Sequence, residues 1–377
     1  MNREKEDVLE MARTNIMIVG GFLGAGKTTA MISAAKYLKQ QGKRVGIITN
    51  GHSTSIVDTE YLKYQGFEVL PVTGACLGCN FNQFNERLIE YTKKAEYDYI
   101  LVEPVGSCTD LVATIMKPIR HGRVANCKIM PLSIVVDPLR LLSEVISIDR
   151  HLTRDSEYLM LKQIEEADLI IVNRMDILTK ADIQRLDSFF RIKYSMKQVI
   201  YISARRNYGI NVWMEEVERI SMHYKNFARS SLKLNYDVYA RAEAELTWLS
   251  LSTSVTMQKR ISGNYFVMAI AESIKKSLKT ESCEIAHMKV YMETSFSICK
   301  LSCVSLYRDN IMDWKLKTQI DSGKLIINIR VDMGVEKLKE IVNSTIDGVL
   351  VDFHGTQEEK IVECFAPEYP KPSFRYT

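Results

Sequence analysis

Residues 15–29 read Asn-Ile-Met-Ile-Val-Gly-Gly-Phe-Leu-Gly-Ala-Gly-Lys-Thr-Thr, and no other stretch of the chain restricts its fold as tightly. Ile16 to Val19 is an apolar run suited to a strand buried on both faces of a parallel sheet, whereas Thr28 to Lys39 repeats apolar residues at helical spacing. Between them Gly21, Gly26, Lys27 and Thr28 satisfy G-x-x-x-x-G-K-[ST], with Gly24 as a further glycine. A strand, a glycine-rich turn and a helix in that order aim backbone N–H groups and the positive helix end at an anion. Gly21, Gly24, Ala25, Gly26, Lys27, Thr28 and Thr29 are therefore expected to cradle nucleotide phosphates. Lys27 would neutralise the β- and γ-phosphates, and the Thr28 hydroxyl would coordinate magnesium. The fold expected is α/β, a doubly wound and mostly parallel sheet of the P-loop NTPase type.

At 377 residues the chain exceeds one average domain, and two are expected. A net charge of +4, with a quarter of the residues charged, leaves no basic stripe, so nucleic acid is not an implied partner. Met1 to Thr14, a leader mixing Glu4, Glu6, Asp7 and Glu10 with Arg3, Lys5 and Arg13, lacks the apolar core of a secretory signal. No apolar run approaches the roughly 20 residues that span a bilayer, so a cytoplasmic protein without a membrane partner is expected. Eight cysteines scattered through so long a chain suggest reduced thiols rather than a disulfide framework.

After the first helix, Lys43 to Asn50 reads as a second parallel strand ending in the polar loop Gly51 to Ser55. Loops at that edge of a doubly wound sheet carry the ligand, which makes Asn50 and Asp58 candidates to sense the γ-phosphate or its magnesium. Asp58 serves equally well as a helix N-cap before Tyr61 and Leu62, and His52 reads as a solvated loop residue. Phe67 to Thr73 is the next strand and runs into Gly74-Ala-Cys76-Leu-Gly-Cys79-Asn-Phe. Two thiols at this spacing can share a soft cation such as zinc or copper(I), form a local disulfide, or simply pack. Two ligands do not close a zinc site, and a neighbouring loop, a water or a second copy in a homodimer would have to add the rest.

Tyr97 to Gly106 is a further buried strand ending in Glu103-Pro-Val-Gly106. Glu103 fits the acid that holds magnesium, and the Gly106 N–H fits the γ-phosphate. Cys108 follows in the same loop, as a neighbour of the Cys76/Cys79 turn or as plain packing. Leu132 to Asp137 is expected as a strand and Arg150 to Glu166 as a helix, on which Arg150 and Arg154 read as solvated charges rather than an arginine finger. The strand Asp168 to Val172 delivers Asn173-Arg174-Met-Asp176. A carboxylate there can accept from the N1–H and N2–H2 edge of guanine, which adenine lacks. Val199 to Ala204 is the last strand, with Ser203 and Ala204 placed to cover the guanine O6, and the helix Val212 to Met222 closes the domain with Trp213 in its core.

With these motifs in hand, residues 15–205 resemble the CobW/HypB/UreG class of P-loop GTPases, in its CobW-like branch. The resemblance rests on residues 21–29, the Cys76/Cys79 turn, the Glu103/Gly106 pair and Asn173-Arg-Met-Asp176. It implies a protein that binds GTP with magnesium, hydrolyses it, and delivers a metal ion such as zinc or cobalt, or a metal-bearing cofactor such as a corrinoid, to a client protein. Two positions depart from the family pattern. The turn usually reads C-x-C-C, but Gly78 stands at the middle position, and Cys108 is expected to replace the absent thiolate. Arg174 stands where lysine is usual, and its flat guanidinium is expected to stack on the base. Two other readings fit the chain: a GTP-dependent switch that binds a metalloenzyme or corrinoid protein without a metal of its own, and a P-loop small-molecule kinase, against which the Asn-x-x-Asp motif argues. No residue stands out to position an attacking water, so slow intrinsic turnover is expected.

The expected division is a GTPase domain over 15–222, a linker over 223–236, and an accessory α+β domain over 237–377. In the accessory part, Glu245–Thr256, Ile285–Glu293, Phe296–Leu306 and Gly323–Val331 read as strands, and Asn264–Leu278 and Val335–Asn343 as helices. That order suggests an antiparallel sheet with helices on one face. Cys299 and Cys303 are expected in its packing. The proline- and aromatic-rich tail, Cys364 to Thr377, is expected to be extended and to pack back on the chain.

Overall fold

The computed structural model describes residues 14–51, 53, 55–93, 97–124, 127–147, 153–223, 231–281 and 283–376. Residues 1–13 of the leader, His52, Arg150 and residues 224–230 of the expected linker lie outside these. The chain forms two compact units. The first comprises Met1–His52, Leu62–Tyr239 and Pro370–Thr377, and the second Ser53–Tyr61 and Ala240–Tyr369. The division expected from sequence was linear. The chain instead lends a short segment of its first half to the second unit and returns its last residues to the first.

The first unit is built on β1 (Thr14–Gly20), α1 (Lys27–Gln40), β2 (Val45–Gly51), the end of α2 (Val57–Tyr64, which begins in the second unit), β3 (Val69–Thr73), α3 (Phe81–Lys93) and β4 (Tyr99–Glu103). It continues through β5 (Cys127–Ile129), β6 (Ser133–Val136), α4 (Arg154–Glu166), β7 (Leu169–Val172), α5 (Lys180–Lys193), β8 (Gln198–Tyr201) and α6 (Ile210–His223). The strands form one eight-stranded sheet in the order β3-β2-β4-β1-β6-β7-β8, with β5 also on β1. Every pairing is parallel. Burial follows the composition: β4, β6 and β7 are buried at every position, as apolar, β-branched-rich runs covered on both faces must be.

The topology sets the site. Strand order reverses at β1, which lies between β4 and β6, and ligands of such sheets bind beyond the carboxyl ends of the strands at that point. Ile18 lies opposite Val102, Thr49 opposite Glu103, and Asn50 opposite Val72. These registers bring the loop after β1, Glu103, Asn50 and the cysteine turn after β3 side by side along one sheet edge.

The second unit carries α7 (Tyr236–Glu245, which begins in the first unit), β9 (Leu246–Ile261), α8 (Gly263–Thr280), β10 (Ile285–Glu293), β11 (Ile298–Cys303), β12 (Ile311–Trp314), β13 (Ile320–Asp332), α9 (Val335–Asp352) and β14 (Gly355–Phe365). Its sheet runs β12-β11-β10-β13-β9-β14, antiparallel throughout. Leu249, Leu251, Val290 and Ile327 join Phe266 of α8 and Ile346 of α9 in one apolar core, which places both helices on one face as the sequence predicted. Cys299 and Cys303 are buried in that core.

The opposite face is polar, with Lys289, Asn328 and Ser250 in register across β10, β13 and β9. It holds the segment Ser53–Tyr61. Asn328 accepts from the Val57 N–H at 2.8 Å and donates to the Ser55 carbonyl at 2.9 Å, and the Ser250 hydroxyl donates to the same carbonyl at 2.8 Å.

Candidate functional site

The phosphate loop forms where the sequence places it. Gly26 precedes α1 with φ of 89°, and a Cβ there would lie 2.5 Å from the Asn173 amide nitrogen, so both backbone and space demand glycine. The Lys27 ammonium donates to the carbonyls of Gly21 and Phe22 at 2.8 and 3.3 Å. A Cβ on Gly106 would come within 3.0 Å of that ammonium, so the loop after β4 lies directly against the phosphate lysine. The Thr28 hydroxyl donates to Glu103 Oε1 at 2.9 Å, with both residues buried. A hydroxyl and a carboxylate oxygen converging at the foot of a phosphate loop form a hard-oxygen donor set, and the residues present fit magnesium.

At the far end of the loop Asn173 is a clasp. Its amide donates to the Ala25 carbonyl at 3.1 Å, and its oxygen accepts from the Ala204 N–H at 3.1 Å. Phosphate loop, Asn173 turn and Ser203/Ala204 loop are thereby fixed to one another. Arg174 has φ of 60°, and its guanidinium pairs with Asp137 at 3.0 Å and donates to the Gly24 carbonyl at 3.0 Å. Base stacking was expected of this side chain; the structure shows its guanidinium held between the buried Asp137 carboxylate and the phosphate loop. Asp176 sits in a single 3-10 turn and pairs with Arg206 at 3.1 Å. The Ser203 hydroxyl is buried with no hydrogen-bond partner among the described residues, and so retains capacity for a ligand.

The cysteine turn is pinned by Asn50, which donates to the carbonyls of Val72 and Ala75 at 3.1 and 2.8 Å and accepts from the Leu77 N–H at 3.1 Å. Asn50 therefore holds the thiol turn, a role its position in sequence did not reveal. The Cys79 N–H donates to Cys76 Sγ at 3.3 Å. Cys108 acts on Cys76, and that interaction together with burial holds the Cys76 pKa well above the ordinary value against the opposing effect of Cys79. Three thiols thus meet, one of them from the loop that starts at Glu103. No three His, Cys, Asp or Glu side chains among the described residues are already arranged about a common metal position. The thiols are neighbours rather than a preformed cage.

The end of the chain seals this region within the first unit. The Ser373 N–H donates to the Gly78 carbonyl at 2.9 Å and its hydroxyl to the Cys79 carbonyl at 3.0 Å, while Phe374 packs edge-on against Phe81. Arg375 Nε donates to the buried Asp110 carboxylate at 2.7 Å, and Tyr236 donates its hydroxyl to the same oxygen at 2.7 Å.

Asp58 departs from both expectations. It lies inside α2 rather than at its N-cap, and it belongs to the second unit, where Lys289 pairs with it. Burial opposes its charge, but Lys289 and Lys300 outweigh that and hold its carboxyl well below the usual carboxylate range. It is not carried forward as a magnesium ligand. Trp213 is core, donating to the Ser133 hydroxyl at 2.9 Å. Sequence reasoning also missed Gln163, whose amide donates to the carbonyls of Gly106 and Cys108 at 3.0 and 2.8 Å. A lone glutamine on an amphipathic helix gives no signal.

A phosphate loop, a hydroxyl–carboxylate pair beneath it and an Asn-x-x-Asp turn at the switch point of a parallel sheet define a P-loop nucleotide-binding protein. Residues 15–200 match the CobW/HypB/UreG nucleotide-binding domain, and through it the chain belongs to that family. Among curated proteins it is 26% identical over 198 residues to the zinc chaperone YeiR of Escherichia coli, covering 51% of this chain and 55% of YeiR. It is 30% identical over 190 residues to the zinc-regulated GTPase metalloprotein activator 1 of Saccharomyces cerevisiae, covering 46% and 43% of the two chains. The chain thus spans about half the length of the curated relatives it matches. Among solved structures, HypB of Helicobacter pylori in complex with nickel aligns over 61% of this chain and 96% of its own, at 13% identity and a TM-score of 0.42.

Proposed function

We propose that this protein is a GTP-hydrolysing carrier that binds a soft divalent ion at Cys76, Cys79 and Cys108 and hands it to a client metalloprotein under the control of bound nucleotide. The observation that carries this reading is the loop 103–110. Glu103 meets the Thr28 hydroxyl at one end, and Cys108 acts on Cys76 toward the other. A change at the γ-phosphate reaches the thiols through a few residues of backbone. Relatives named as zinc chaperones make zinc the favoured cargo, ahead of cobalt or a corrinoid.

In this reading Lys27, now on the loop carbonyls of Gly21 and Phe22, turns to the β- and γ-phosphates of the substrate. Thr28 and Glu103 hold magnesium, which when bound neutralises charge on the phosphates. The Gly106 N–H meets the γ-phosphate, Asp176 exchanges Arg206 for the guanine edge, and Ser203 with Ala204 covers O6. Clients and a homodimer that completes the thiol site belong to the same proposal.

The test is titration of zinc(II) and cobalt(II) into reduced protein with GDP and then with a non-hydrolysable GTP analogue, following thiolate-to-cobalt absorption. Stoichiometric binding that shifts with nucleotide, lost in Cys76→Ser, supports the carrier. The absence of a preformed three-donor group among the described residues favours a second reading, a GTP switch whose cysteines only pack. No thiolate band with either nucleotide would establish it.

A further inference from the structure

Gln163 of α4 lies outside the nucleotide and thiol residues. It is 1% exposed, and its single side-chain NH2 donates to the carbonyls of both Gly106 and Cys108. Those two residues belong to one tight turn, closed by the Cys108 N–H donating to the Val105 carbonyl at 2.9 Å. The turn has Lys27 against one end and Cys76 at the other. Gln163 Oε1 is buried with no hydrogen-bond partner among the described residues, and the residue lines a cavity with Phe22, Leu23, Ala25, Asp137 and Arg140. A buried amide that commits both its protons to one turn has no purely solvating role, and losing them would leave two buried carbonyls unsatisfied.

We infer that Gln163 is a positioning residue that makes the 105–108 turn move as one body, so that displacement of Gly106 by the γ-phosphate is passed to Cys108. The inference rests on the nucleotide-gated reading above and names the side chain through which the gate acts. α4 packs at the same edge and is not itself displaced in this scheme: it is the fixed post to which the turn is fastened, and the nucleotide works against that fastening.

The experiment uses the full, reduced, metal-free chain and reads the alkylation rate of Cys108 by mass spectrometry with GDP and with a non-hydrolysable GTP analogue, each with magnesium. In the wild type the two rates are expected to differ by about five-fold or more, the lower end of ordinary allosteric coupling. Gln163→Met, which keeps the volume and loses both donors, should bring the ratio to about one while analogue affinity stays within about three-fold. Gln163→His, with a ring N–H able to reach one carbonyl, should give an intermediate ratio, and Ile164→Val controls for packing on the same helix. A wild-type ratio preserved in Gln163→Met, or His and Met variants that behave alike, overturns the inference and leaves gating intact. A wild-type ratio of one overturns the gating reading itself. Because no soft metal is present, neither outcome depends on whether the thiols carry cargo.

Discussion

A Cβ built on Gly78 would lie 2.9 Å from the hydroxyl of Thr114, which itself donates to the Asp110 carbonyl at 2.8 Å. The thiol turn is seated on the segment that follows the Cys108 loop, and the seat has no room for a side chain at position 78. Restoring the family's middle cysteine with Gly78→Cys should therefore destabilise the protein by about 1–3 kcal/mol through overpacking. Chemical denaturation would measure it, and Thr114→Ala in the same chain should recover part of the loss, a coupling visible in a double-mutant cycle. Additive effects would refute the steric account.

The buried pair Thr28–Glu103 predicts a second result. Glu103→Gln keeps the hydrogen bond from Thr28 but loses the charge proposed to hold magnesium. GTP turnover should fall by a hundred-fold or more, on the order of the several kcal/mol a catalytic metal supplies, with GDP affinity little changed. Steady-state hydrolysis and nucleotide titration over a range of magnesium separate the two quantities.

Asp176 should set the choice of base. Asp176→Ala removes the acceptor proposed for the guanine edge and frees Arg206 from its 3.1 Å pair. The preference for GTP over ATP should narrow by about a hundred-fold or more, as expected when a buried polar contact decides selection. Competition of ATP against a fluorescent GDP reads this directly.

The parallel sheet was legible because its strands are apolar runs, and four of them lead into residues expected at the nucleotide: Gly21, Glu103, Asn173 and Ser203. Registers between strands far apart in sequence then did the rest, since Thr49 beside Glu103 and Asn50 beside Val72 set the loops in a row. What local pattern could not show was the destination of side chains. Asn50 was a candidate to sense the γ-phosphate, Asp58 a candidate magnesium ligand or equally an N-cap, and Arg174 was expected on the base; each is held by a partner distant in sequence, the cysteine turn, Lys289 and Asp137. In the second unit Ile285–Glu293 was read to the residue, whereas Ile311–Trp314 and Gly355–Phe365 were missed. Gly355–Phe365 is rich in Glu, Gln and Lys and half open to solvent, so it lacks the alternation that marks a strand.

Glu166 makes a pH prediction. Burial pushes its carboxyl up to about 8, with the Val112 N–H bonded to it at 2.6 Å and Asp110 and Asp168 adding repulsion. Because the folded value lies above the ordinary 4.5, the folded state holds the proton more tightly. Its contribution is therefore full below that ordinary value and is lost as pH rises through the folded one, by at most a few kcal/mol. Glu166→Gln, which keeps an oxygen for Val112, should flatten this part of the profile and be the more stable protein at about pH 8. Urea midpoints across that range would check it; parallel profiles for both proteins would contradict it.

The first unit is assembled from three stretches of chain and the second from two, so the polypeptide passes between them four times. Neither unit can be lifted out by a single cut. A fragment ending near residue 222 would carry the 53–61 segment without Asn328 and Lys289, the cysteine turn without Ser373, and Asp110 without Arg375. Recombination that shuffles modules between genes works by single joins, and here a single join would sever both exchanges. The two units of this protein are therefore expected to be inherited together, and to lose their structure together when either is removed.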